Sequence, residues 1–121
     1  MKKKLKRSNE FLNQEEDLFE LANMGQQDTG LPMIVWISEK RASHGPRVKV
    51  SRTYNHRAIA GDTFSIDVSD EPKIVAGDRG DITTEDLQKA FDWVVLNKNL
   101  LLQYWKGDIL TGDFFRRCAK V

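Results

Sequence analysis

The strongest pattern of apolar positions lies between Glu85 and Lys106. On a helical wheel Leu87, Ala90, Phe91, Val94, Val95, Leu101, Leu102 and Trp105 make one broad face. Trp93, Leu96, Leu100 and Tyr104 make a second. Only Glu85, Lys89, Asp92, Asn99, Gln103 and Lys106 form a polar strip. A surface helix buries one stripe, so a helix apolar on most sides is expected to be covered on most sides. The pattern predicts a single long helix lying on a sheet and covered again by another helix or a second subunit. Thr83, with Asp86 three residues later, supplies its start, and Gly107 its stop.

Upstream the period changes from helical to alternating. Met33 to Ile37 is apolar on both faces, which predicts a strand central in its sheet. After a polar loop with the turn signal Gly45-Pro46, Arg47 to Ser51 alternates cleanly. Val48 and Val50 point one way, and Arg47, Lys49 and Ser51 the other, toward water. These two runs predict an antiparallel hairpin. Thr63 to Val68 alternates again, and Lys73 to Ala76 reads as a short edge strand. Asn13 caps a predicted first helix carrying Leu18, Leu21 and Ala22, which ends near Met24-Gly25 and is expected to help cover the long helix. Thr111 caps a predicted last short helix.

The order helix, strands, helices predicts an α+β fold. Its sheet is four-stranded and mostly antiparallel, packed on one long C-terminal helix, with a short N-terminal helix. Residues 1–12 read as a flexible basic tail and residues 13–121 as a single domain. The chain is long enough to bury a core without disulfides or metal.

Composition changes the picture only through charge. Apolar residues at 40% and charged residues at 31% are ordinary for a globular protein. The net charge of +1 hides segregation. The tail carries Lys2, Lys3, Lys4, Lys6 and Arg7, and the stretch from Lys40 to Arg57 holds six basic residues, two histidines and no acid. Such local excess attracts a polyanion whatever the net charge. No apolar run follows the basic start and none is long enough to span a membrane, so a cytoplasmic protein with no membrane partner is expected.

The candidate chemistry follows from these patterns. Lys40, Arg41, Arg47, Lys49, Arg52 and Arg57 form a candidate nucleic-acid surface, because alternate strand positions space cations about 7 Å apart, close to the phosphate spacing along one strand. Trp36 is a candidate to stack a base on the same face. Trp93, Leu96, Leu100 and Tyr104 are a candidate partner surface, with intramolecular packing the competing use of that face. His44 and His56 are the residues a metal-independent ribonuclease would use as base and acid, with exposed loop histidines as the plain alternative. Cys118 reads as a structural thiol despite Arg116, Arg117 and Lys120 nearby. Metal-ligand spacings and phosphate-loop motifs are absent, so no metal or cofactor is expected.

Pro46-Arg-Val-Lys-Val50 and Asn97-Lys-Asn-Leu-Leu-Leu-Gln-Tyr-Trp105 resemble a family of short bacterial proteins, a domain of unknown function. Its members carry a Pro-His-Val-His-Val hairpin and a later Asn-x-x-x-Leu-Leu-x-x-Trp helix. The likeness spans about residues 31–107 and implies a small α+β domain, from a bacterial or phage gene pair of the toxin–antitoxin kind. Arg47 and Lys49 stand where the family has histidines, so histidine chemistry does not carry over.

The leading expectation is a non-catalytic nucleic-acid-binding module. The alternative is a protein-interaction subunit of antitoxin or inhibitor type, with a protein partner or a second copy as a homodimer. The third reading is the ribonuclease.

Overall fold

The computed structural model describes residues 22–39, 44–54 and 61–121. Strands β1 (Ala22–Met24), β2 (Val35–Ile37), β3 (Arg47–Ser51), β4 (Thr63–Asp67) and β5 (Ile74–Ala76) form one sheet in that spatial order, each antiparallel to its neighbour. The helices are α1 (Gln26–Thr29), α2 (Thr84–Leu96), α3 (Lys98–Trp105) and α4 (Thr111–Arg117). The α+β class and the antiparallel sheet are as the alternating runs predict.

Alternation decides what each strand buries. Val35, Val50 and Phe64 share one row of the register, and Ile37, Val48 and Ile66 lie on the same side, all buried in the core. That core is closed by Ala90, Trp93 and Val94 of α2, Leu101 and Tyr104 of α3, and Phe114 of α4. Thr83 starts α2 as expected, its hydroxyl accepting the Asp86 amide at 3.1 Å. The Tyr54 hydroxyl donates to Asp86 at 2.7 Å and accepts the Thr83 amide at 3.0 Å, tying the end of β3 to that cap.

Among the described residues the sheet has five strands, not four. Ala22–Met24 does not end a helix. It pairs with β2, setting Met24 opposite Val35 and burying it while Asn23 stays exposed. Apolar spacing at Leu21 and Ala22 fits a helix, but pairing satisfies the backbone groups along the free edge of β2. The remainder of the predicted first helix, with its expected cover of the long helix, lies outside the described residues. So does the tail.

The loop after β1 holds the single turn α1, closed by Gly30 at φ 84°. A side chain there has no room, since a Cβ would lie 2.3 Å from the Val121 carbonyl oxygen. The Val121 amide donates to Thr29 O at 3.0 Å, so the segment after α4 passes directly over this turn.

The long helix is interrupted at Asn97, at φ −107° and ψ 17°. Asparagine competes with the backbone for its own hydrogen bonds. The buried Asn97 Nδ2 donates to Trp93 O and to Ala119 O, both at 3.0 Å, and its Oδ1 accepts the Ala119 amide at 2.8 Å. One side chain thus breaks the helix and clips the chain beyond α4 to it. A wheel drawn through Asn97 mixes two helices. Trp93 and Tyr104 are therefore core, 0% and 2% exposed, whereas Val95 and Leu96 are 46% and 54% exposed. Trp93 is covered by Phe114, with ring centroids 6.4 Å apart, and Tyr104 packs on the same ring at 5.7 Å. The last helix, within the chain, supplies the second cover that the pattern required. Thr111 is its first residue and not its cap, and its hydroxyl lies 2.9 Å from the Tyr104 hydroxyl.

Candidate nucleic-acid interface

The sheet face away from the helices carries the alternate residues of β3. Arg47 and Lys49 lie there, both half-buried, with Asp67 opposite Arg47, and Trp36 and Ser65 flanking Lys49 across the strands. Among the described residues neither cation forms an ion pair, although Asp67 is near in register. Asp67 is engaged elsewhere: its carboxylate accepts the Lys73 amide at 2.7 Å and faces Lys73 Nζ at 3.6 Å. Burial raises its pKa, but the Lys73 amide, the Ser69 hydroxyl and the Lys73 ammonium together outweigh this and hold the carboxyl below its usual value.

Trp36 is not an open stacking platform. It lies on this outer face, yet it is 4% exposed. Ser65 beside it is buried as well.

Arg52, one residue past the strand, is committed to a different task. Its Nη1 donates to Asp62 at 2.9 Å, its Nη2 to Asp78 at 2.8 Å and its Nε to the Asp78 carbonyl at 3.2 Å. Asp78 is held below the ordinary carboxylate range, first by Arg52 and then by the Gly80 amide. Arg52 thus clamps the start of β4 to the turn before α2, with its charge matched by two carboxylates. The signal for this lay in acids placed 10 and 26 residues away, which no local pattern connects. Lys40, Arg41, Arg57 and His56 lie outside the described residues. His44 sits on the hairpin loop, its Nδ1 donating to the Gly45 carbonyl at 2.8 Å, and the described residues do not bring it to a second histidine. No group of three metal-ligating side chains occurs among the described residues.

A second feature lies on the opposite side of the fold. At the α2–α3 junction an open groove of about 430 Å³ is lined by Val95, Leu96 and Leu100, with Asn97 at its base. Lys98, paired to Asp70 at 2.9 Å, and Arg117 lie at its rim. Of the expected partner surface, Leu96 and Leu100 line this groove, and Trp93 and Tyr104 do not.

Cys118 is a half-buried thiol. Burial pushes its pKa up to about 11, against a lowering contribution from the nearby Trp93 indole. A thiol raised from 9.0 stays neutral, so its contribution to stability is complete below pH 9 and is lost as pH rises through 11. At pH 8 alkylation of the native protein is expected to be about 100-fold slower than of the denatured chain, since a two-unit shift removes that much thiolate. Equal rates would show the thiol to be exposed.

No helix among the described residues is long and apolar enough to cross a membrane. No protein-family model, curated protein or solved structure matches the chain. The resemblance carried by Pro46–Val50 and Asn97–Trp105 therefore rests on those motifs alone. The fold and this surface define a class, an antiparallel sheet with helices on one face and basic side chains on the other.

Proposed function

We propose that this domain is a non-catalytic binding module that engages nucleic acid through the basic outer face of its sheet. The carrying observation is the state of its cations. Arg47 and Lys49 have no carboxylate partner among the described residues and, unlike Arg79, Lys89, Lys106, Arg117 and Lys120, which also have none there, they are held on alternate positions of one rigid strand. Lys40, Arg41 and Arg57 flank that strand in sequence, and a local excess of like charge attracts a polyanion. Contacts of this type read the sugar–phosphate backbone and not the bases. A cytoplasmic location suits such a partner.

The test is fluorescence anisotropy with a labelled single-stranded oligonucleotide across a salt series. Affinity is expected to fall with salt, and the Arg47→Glu, Lys49→Glu double variant to bind about 100-fold more weakly, with a slope shallower by about 1.4 for two lost phosphate contacts. Unchanged binding in that variant would remove the proposal.

The exposed Val95 and Leu96 beside the α2–α3 groove favour a second reading, a homodimer or an antitoxin-type subunit docking there. It predicts a dimer by light scattering that Leu96→Asp converts to monomer without loss of helicity. The ribonuclease reading is tested by His44→Ala, His56→Ala, since full RNA cleavage by that variant removes it.

A further inference from the structure

Val95 and Leu96 stand exposed at the end of α2, and the half-buried Leu100 carries the apolar surface into the α2–α3 groove. Exposed apolar surface of this kind marks a docking site. The charges at its two ends decide what docks there. Asp92 precedes Val95 by three residues and Leu96 by four, so the three are neighbours on one side of the helix. It is exposed, accepts Gln88 Nε2 at 3.0 Å and forms no ion pair among the described residues. Lys89 lies a turn farther from the groove. On the groove side Arg117 is exposed as well, again without a carboxylate partner among the described residues. Lys98, also at the rim, is offset by Asp70 at 2.9 Å.

The patch thus carries an acid at its α2 end, apolar side chains in the middle and a cation at its groove end. An acidic peptide laid along it would meet Asp92, and a basic one Arg117, each against its own sign. A second copy of the same patch, turned about a two-fold axis, meets the opposite sign at both ends.

We propose that the α2–α3 groove is an isologous interface with a second copy of this chain. Leu96 packs on its counterpart near the axis, and Asp92 of each protomer pairs with the partner's Arg117. The proposal rests on the groove-docking reading and names its partner; it is independent of nucleic-acid binding.

The test is sedimentation velocity of the full chain over a concentration series at low salt, with the variants Asp92→Arg, Arg117→Asp and Leu96→Asp. The wild-type chain is expected to dimerise. Either charge variant sets like charges against each other twice across the axis, so its dimer should have a Kd at least about tenfold higher. In an equimolar mixture of the two charge variants every cation faces an acid again, and wild-type association should return. Both positions are exposed, so helicity by circular dichroism is expected to be unchanged. A wild-type chain that stays monomeric overturns the proposal and leaves the groove to a different protein. A dimer that Leu96→Asp does not weaken overturns the groove reading along with it. A dimer that Leu96→Asp abolishes, but that the mixed charge variants fail to restore, keeps the groove reading and overturns the two-fold arrangement.

Discussion

Replacing Trp93 by alanine is expected to lower the unfolding free energy by about 3–5 kcal/mol, the usual cost of emptying a buried large aromatic site. Trp93 is 0% exposed and meets Phe114, itself 0% exposed, edge to face. Alanine there leaves a cavity bounded by elements that cannot all collapse inward, because α4 is also held by Tyr104 and by the clip at Asn97. Since small domains have only about 5–15 kcal/mol in total, the variant is expected to unfold at much lower urea. Phenylalanine should cost distinctly less. Among the described residues the buried Trp93 Nε1–H has no hydrogen-bond partner of normal geometry and only the Cys118 sulfur nearby, so removing it relieves a desolvation cost while most of the ring volume is kept. Urea unfolding followed by circular dichroism of both variants decides this. Near-native stability of Trp93→Ala would show that this side chain is not core.

Asn97→Ala is the second large effect, with an expected loss of about 3 kcal/mol, because it removes three hydrogen bonds at roughly 1 kcal/mol each. The change strips the Ala119 amide and carbonyl of their partner and removes a bond to Trp93 O. The loss should be local before it is global. Amide exchange at Ala119 and Val121 is expected to rise, and alkylation of Cys118 to accelerate, at denaturant concentrations where the sheet stays protected. Asn97→Asp keeps the acceptor for Ala119 but loses the donors and adds a charge, so it should not restore stability. A fully stable Asn97→Ala protein would show that the clip contributes nothing.

The fold was legible where a single period governs a segment. Arg47–Ser51 alternates in polarity and forms β3 over those residues, and Thr63–Asp67 forms β4 by the same rule, but Ser51 and Ser65, on the side that alternation turns toward water, are both 5% exposed. The edge position of β5 followed from the brevity of its run. Legibility failed where tertiary contact overrides local pattern. Nothing near Ala22 distinguishes the last turn of a helix from a strand, because the free edge that β1 pairs with lies across a loop. Asn97 reads as an ordinary polar position inside a helix, since its partner Ala119 is 22 residues away. That misreading carried Trp93 and Tyr104 onto a supposed surface and hid Val95, which is exposed. Of the candidate basic residues, alternation alone places Arg47 and Lys49 on the outer sheet face, where the structure has them. Arg52 belonged with them by charge but is separated by geometry, its guanidinium lying between Asp62 and Asp78.

Charge on one strand of a sheet also serves solubility alone, so the location of binding matters more than its strength. Amide chemical-shift mapping of the labelled protein, titrated at low salt with a short single-stranded oligonucleotide, reads that location directly. The account predicts that the largest shifts fall on Trp36, on β3 and on β4 around Ser65, and that they vanish as salt is raised. Shifts confined to the α2–α3 groove between Val95 and Gln103, or no shifts at all, would contradict it.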